Sequence, residues 1–211
     1  MQIDINSDMA EGFGAYRIAE DETLLDIVSS ANLACGFHAG DAVIMDRTVR
    51  GAKERGVAIG AHIGFPDLMG FGRRQLQVDP AEMEKHAIYQ LGALDGIARA
   101  AGAKLTHASF HGALGNLVAV DEPMATAMIQ AVKTFDPTLY ISGGPNALTL
   151  KLAKAAGLRT IARCLKNRVA PPLGESEMEI RYPQGPGLFL QHRVSETELQ
   201  LAELECASAV V

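Results

Sequence analysis

Short apolar runs alternate with longer stretches of helical spacing over the first three-quarters of the chain. Residues 2–6 read as a strand, and residues 21–28 as a helix opened by acidic residues. Residues 30–35 form a second strand candidate. Asp41 then caps a helix to about residue 55, in which Val43, Ile44, Thr48 and Ala52 fall near helical spacing. Gly56 fits a helix stop, and residues 57–61 follow as a third strand. Asp79-Pro80 opens the longest helical run, to about residue 101, with Pro80 at the first helical position and Gly102 as its stop. Residues 104–109 are a fourth strand. Helix, strand, helix and strand then follow over 121–134, 139–142, 146–156 and 158–162, with Met124 and Met128 as core positions.

Strand–helix alternation of this kind predicts an α/β fold of parallel strands with crossover helices. An open doubly wound sheet and a closed (β/α) barrel both satisfy it. Beyond Arg163 the alternation fades into a turn-rich stretch holding Pro171, Pro172, Gly174, Pro183 and Gly185-Pro186-Gly187, and residues 196–207 read as a last short helix. There is no internal repeat, and 211 residues suit a single domain.

Composition narrows the function classes. Nineteen Lys and Arg against 25 Asp and Glu give a net charge of −6, with 48% hydrophobic and 21% charged residues, the balance of a globular protein. Without a Lys/Arg-rich block, nucleic acid is not the expected partner. The start Met1-Gln2-Ile3-Asp4 lacks the basic and apolar regions of a secretory signal, and no apolar run has the length of a membrane helix. Cys35, Cys164 and Cys206 have neither zinc nor redox spacing, so they are read as free buried thiols in a reducing, cytoplasmic setting. Aromatics are 5% and Trp is absent, which leaves the core to Ala, Leu, Ile, Val and Met.

Reactive residue types recur at one topological place. Asp8 and Glu11 follow the first strand, His38 and Asp41 the second, His62 and Asp67 the third, and His111 and Asn116 the fourth. The carboxyl ends of parallel strands form the ligand face of such folds, because the loops there converge. Three imidazoles at matching positions therefore predict a shared site, while Asp41 taken alone reads as a helix cap. Gly12, Gly14, Gly36, Gly40, Gly60, Gly64, Gly70, Gly72 and Gly112 fall in or beside the same loops, where a backbone can approach a ligand closely. Gly12-Phe13-Gly14 lacks the third glycine of a dinucleotide fingerprint, and no phosphate loop of the Gly-x4-Gly-Lys kind exists. Gly70-Phe71-Gly72-Arg73-Arg74 offers two guanidinium forks for a phosphate or carboxylate. Asp8 with His38, His62 and His111 would make an oxygen-and-imidazole metal site. His107 and His111 straddle a strand end, a weak metal signal, with His107 read as packing. Ser7, Ser109 and Cys35 lack a nucleophile elbow.

Five stretches resemble one family. Asn6-Ser-Asp-Met-Ala-Glu-Gly-Phe-Gly-Ala15, Ser30-Ala-Asn-Leu-Ala-Cys-Gly-Phe-His-Ala-Gly-Asp41, Gly60-Ala-His-Ile-Gly-Phe-Pro-Asp67, Gly70-Phe-Gly-Arg-Arg74 and His111-Gly-Ala-Leu-Gly-Asn116 are similar to the LamB/YcsF family, the A subunit of the prokaryotic ATP-dependent 5-oxoprolinase. The resemblance runs from Met1 to about Gly157, and residues 163–211 match weakly. It implies a (β/α) barrel of the glycoside hydrolase/deacetylase type with six or seven strands, irregular or incomplete at its C-terminal part. It further implies opening of the 5-oxoproline lactam to glutamate with ATP and Mg2+, together with subunits B and C. The family's Asn-Cys-Asp-Leu-Gly-Glu stands here as Asn6-Ser7-Asp8-Met9-Ala10-Glu11, and its Lys-Pro before His-Gly-Ala-Leu-Tyr-Asn as Ser109-Phe110, with Gly115 in place of Tyr. Its Glu-x-Phe-Ala-Asp-Arg stands as residues 163–168, beginning at Arg163, and its late Val-His-Gly-Asp segment is not found.

Residues and resemblance together imply Asp8, Glu11, His38, His62 and His111 as catalytic groups. Asn6, Gly12, Gly40, Asp41, Gly64, Asp67, Arg73, Arg74 and Asn116 are expected to bind substrate or nucleotide. The alternatives are a metal-dependent hydrolase or deacetylase on the same barrel and a non-catalytic partner subunit. The barrel edge beside the first strand is expected to be covered by residues 163–211 or by a second chain, including a second copy, with Leu188, Phe189 and Leu190 buried there.

Overall fold

The structure, a computed structural model, describes residues 4–144 and 147–163. Strands β1 (Asn6–Met9), β2 (Ser30–Ala34), β3 (Ala58–Ile63), β4 (Leu105–Phe110), β5 (Tyr140–Gly143) and β6 (Thr160–Ala162) form one sheet. Helices α1 (Asp21–Leu25), α2 (Ala42–Arg55), α3 (Pro80–Ala100), α4 (Gly112–Val118), α5 (Glu122–Phe135) and α6 (Leu148–Ala155) connect them. The strands lie side by side in chain order, and every pair from β1–β2 to β4–β5 is parallel. A doubly wound sheet reverses its order at a switch point, whereas strands laid down in sequence curl towards closure. The order therefore decides between the two architectures: this is an incomplete (β/α) barrel.

The chain divides into two compact units, residues 1–143 with 147–161, and residues 144–146 with 162–211. The first contains β1 to β5 and all six helices. The second falls mostly outside the described residues, as do the turn-rich stretch, the helix expected over 196–207, and Leu188, Phe189 and Leu190. No helix among the described residues is long and apolar enough to cross a membrane.

Each long helix is delimited as its sequence predicts. Asp41 accepts from the Val43 and Ile44 N–H groups, which satisfies two of the orphan donors of α2, and Gly56 ends it with φ +70. Asp79 and Asp121 cap α3 and α5 in the same manner. The buried stripe of α5 is Met124, Ala125, Met128, Ile129, Ala131 and Val132, and α3 packs beside it through Met83, Ala87, Leu91, Leu94 and Ala98. Small residues let these helices sit close without large side chains.

The face of the sheet turned into the barrel is polar. Pairing aligns Asp8 with Asn32, Asn32 with Gly60, Gly60 with His107, and His62 with Ser109. Asn32, His62, His107, Ser109 and Ser142 are each at most 3% exposed and each hydrogen-bonded or aligned within this row. Gly60 supplies the room: a Cβ there would stand 2.1 Å from Nε2 of His107.

Three elements differ from expectation. Strand β1 lies over Asn6–Met9, where Asn6 and Asp8 align with Ser30 and Asn32, and Asp4 and Ile5 precede it; residues 2 and 3 of the expected strand lie outside the described residues. Helix α1 stops at Leu25. Helix α4 was not visible in the pattern, since Gly112 and Gly115 dilute its apolar spacing.

Candidate active site

Glu11, His38, His62 and His111 converge at the carboxyl ends of β1 to β4, with Asp8 beside them. Asp8 is on β1 itself, and Ala10 beyond it adopts φ +58, a left-handed turn that sends Glu11 back over the sheet. The family pattern carries glycine at Ala10, the residue that this turn favours. His62 is on β3, His38 lies in the loop after β2, and His111 is the residue before α4. His38 is fully buried, and His62 and His111 are 2% and 3% exposed.

The geometry is tight. His38 Nε2 stands 3.2 Å from Glu11 Oε1, His111 Nδ1 is 3.3 Å from the same oxygen, and His62 Nε2 is 4.0 Å from it. His62 Nε2 and His111 Nδ1 are 3.1 Å apart. The His38 and His111 rings stack with centroids 3.8 Å apart, and Phe71 meets both edge-on. The far nitrogens of two rings are anchored: His111 Nε2 on the Phe71 carbonyl and His62 Nδ1 on Ser109 Oγ, each at 2.8 Å. A carbonyl only accepts, so His111 Nε2 carries a proton, and Nδ1 donates to Glu11 only when the ring is protonated on both nitrogens. Asp8 sits at the rim, with Oδ2 3.3 Å from His62 Nε2 and Oδ1 accepting from Asn32 Nδ2 at 2.8 Å.

Burial works to raise the Glu11 carboxyl, but hydrogen bonds from His111 and His38 and the nearby imidazole charge outweigh it and hold it at about 2. Burial pushes the His38 imidazole down to about 4, against the pull of Glu11. At neutral pH, then, a neutral His38 donates Nε2–H to an ionised Glu11. Among the described residues His38 Nδ1 has no partner, and the unprotonated nitrogen is the cheaper atom to leave so.

Glu11, His38, His62 and His111 each turn a ligand atom to one point, all within 4.8 Å, a donor set able to hold a metal ion. The carboxylate in this group is Glu11, where the sequence suggested Asp8. The strand register keeps Asp8 on β1 beside Asn32, whereas the turn at Ala10 carries Glu11 inward.

The other expected binding residues hold the loops. Asp41 Oδ2 accepts from Gly14 N–H at 2.8 Å while Oδ1 caps α2. Asp67 accepts from Gly70 N–H and pairs with Arg74, whose guanidinium holds the carboxyl below its usual range. Arg73 lies over the Phe71 ring, 5.6 Å from its centroid. Asn6 bonds Ser30 and Asn32 within the barrel, and Asn116 is exposed on α4. The Gly12 carbonyl accepts from Gly40 N–H, and Gly64 N–H and C=O both bond Gln90. Gly36 and Gly72 N–H groups bond Ala39 and Asp67 carbonyls. Phosphate cradles need such donors free. The N–H groups of Gly14, Gly36, Gly40, Gly64, Gly70 and Gly72 are spent within the loops.

Sequence reasoning passed over Asn32 and Phe71 and weighed Ser109 only as a nucleophile. Asn32 bridges Asp8, Asn6 and His107, and its signal was a polar residue between Ala31 and Leu33 of a buried strand. Phe71, at φ +53, had no sequence signal for its carbonyl role. His107, read as packing, is buried in the polar row, bonded to Asn32 and Thr106. Cys35 is a buried free thiol whose pKa burial raises to about 12.

Comparison with known proteins agrees with the resemblance. The chain is 55% identical over 168 residues to a 5-oxoprolinase A-type subunit of Bradyrhizobium diazoefficiens, covering 80% of this chain and 66% of that protein. It is 42% identical over 209 residues to the 5-oxoprolinase A-type subunit of Azorhizobium caulinodans, covering 99% and 81%. A crystal structure of the lactam utilization protein from Thermus thermophilus superposes with TM-score 0.75 at 44% identity, covering 77% of this chain and 66% of that one. The chain thus spans just under two-thirds of the Bradyrhizobium and Thermus proteins. With the LamB/YcsF family model matching residues 3–179, the chain belongs to the LamB/YcsF family.

Proposed function

We propose that this chain is the lactam-opening component of a 5-oxoprolinase, acting in the cytoplasm with partner subunits B and C. The convergence of His62, His111, His38 and Glu11 carries the reading, supported by relatives that bear the 5-oxoprolinase name. Lactam hydrolysis requires a water oxygen to attack the carbonyl carbon, a base to take its proton, and a proton on the ring nitrogen as the C–N bond breaks. A carboxyl at about 2 is too weak a base for the first task. The imidazole pair His62 and His111, 3.1 Å apart, takes the water proton and returns it to the departing nitrogen. Glu11 and Asp8 stabilise the imidazolium between those events. His38 fixes Glu11, and Phe71 with Ser109 fixes the rings.

ATP, when bound to the assembly, supplies activation of an otherwise inert amide. Because six glycine N–H groups of these loops are spent on their own loops, we assign its phosphates to the partner subunits, and no step above runs through them. The test is glutamate formation from 5-oxoproline by the full-length protein, alone and with subunits B and C, with ATP and Mg2+. We expect turnover in the complex and its loss in His62→Ala and His111→Ala complexes that still assemble. No glutamate from the wild-type complex, or full activity in both variants, overturns the reading.

A further inference from the structure

We infer that His62, His111 and Glu11 form a three-ligand site for a borderline transition ion of the Zn2+ class, with its fourth position open and His38 behind Glu11. The inference rests on the proposed function only for what the ion would act on; with His62 Nε2 and His111 Nδ1 as ligands, the task of taking the water proton passes from that imidazole pair to the half-exposed Asp8 carboxylate. The separations of His62 Nε2, His111 Nδ1 and Glu11 Oε1 are 3.1, 3.3 and 4.0 Å. Ligand bonds of about 2.0–2.1 Å in a tetrahedron set its edges at about 3.3 Å, so these atoms outline one face of such a polyhedron. Two nitrogens with one carboxylate and an open corner is a catalytic zinc arrangement, where four closed ligands would be a structural one. Mg2+ prefers an all-oxygen octahedron and is not matched.

The supporting contacts point the same way. A metal-binding imidazole commonly donates its other N–H to a carbonyl, carboxylate or water. His111 Nε2 does so to Phe71, a residue in the left-handed region held there by its loop. His62 Nδ1 rests on a hydroxyl, Ser109 Oγ, that can donate or accept, so His62 can surrender its Nε2 proton and move it to Nδ1. His38 Nε2 already donates to Glu11, which keeps His38 in a supporting place. Asp8 Oδ2 stands 3.3 Å from His62 Nε2 on a side chain that is 44% exposed, placed to hold a metal-bound water. An ion here supplies Lewis-acid polarisation of a carbonyl or water oxygen.

The experiment uses the full-length protein, stripped with a chelator and titrated with Co2+ and Zn2+, with Mg2+ as comparator. We expect one equivalent of Co2+ with the intense visible bands of four-coordinate cobalt, displaced by Zn2+ and unaffected by Mg2+. His62→Ala and His111→Ala should lose the bands, and His38→Gln and Ser109→Ala should keep them with about 10–100-fold weaker binding. Circular dichroism confirms that each variant is folded, and Glu11→Gln repeats the test with minimal change of shape. Weak six-coordinate spectra, or unchanged binding in His62→Ala, overturn the inference. If stripped complex still turns over 5-oxoproline while no cobalt binds, the metal site falls and the proposed function stands. Stoichiometric cobalt without lactam turnover in the complex does the reverse.

Discussion

A single methyl group at Gly64 should disable the site. Gly64 follows β3 outside the left-handed region, so its backbone accepts alanine, and any cost comes from contact. The added Cβ would stand 2.4 Å from His38 Nδ1, 2.8 Å from Cγ and 3.0 Å from Cβ. Ordinary contact needs about 3.5 Å, so the ring must retreat by about 1 Å, and rotating it does not help because its own Cβ is crowded. Retreat is blocked by His111, stacked at 3.8 Å, and by Phe71. Overpacking of this kind costs about 1–3 kcal/mol, and a displacement of about 1 Å at reacting groups costs roughly 100-fold in rate. The assay is a double-mutant cycle of Gly64→Ala, His38→Ala and both, read by denaturant unfolding. With the ring gone, Gly64→Ala should cost less than about 0.5 kcal/mol. Equal destabilisation with and without His38 would refute the contact argument, because the methyl would then be meeting something else.

Acid should weaken the fold in two overlapping windows. His38 is depressed from 6.5 to about 4, so the unfolded chain binds its proton first and stability falls as pH drops from about 6.5 towards 4. Glu11, depressed from 4.5 to about 2, adds a contribution present above about 4.5 and lost as pH falls towards 2. At about 1.4 kcal/mol per pKa unit each is worth on the order of 3 kcal/mol, and unfolding of chelator-treated protein from pH 8 to 3 should show His38→Asn flattening the upper window and narrowing the lower one, because Glu11 loses a donor. Asp41→Ala removes a cap and the Gly14 tether, so it should cost about 1–2 kcal/mol in stability. Loss of 5-oxoproline turnover at an unchanged melting temperature would instead assign Asp41 to the ligand.

Much of this site is legible in the chain before any coordinates. Helix caps at Asp41, Asp79 and Asp121 are local events, settled by a side chain and the N–H groups two or three residues on. Strand ends carrying imidazole at His38, His62 and His111 are likewise countable, because a parallel fold places every such end on one face. Motif glycines have a local meaning too, as Ala10 shows by occupying a left-handed turn where the family carries glycine.

What the sequence by itself determined, then, is the α/β class, the element order, the capping residues and the set of imidazoles that would meet. Only the tertiary structure decided that the sheet curls in chain order, that Glu11 enters the group while Asp8 stays at the rim, and that Arg74 and the loop glycines are spent on their own loops. Caps and periodicities depend on neighbours within about four residues, so they are written in local spacing. Asn32, Ser109 and Phe71 act on partners 24 to 75 residues away, and strand register alone fixes which of their atoms face one another.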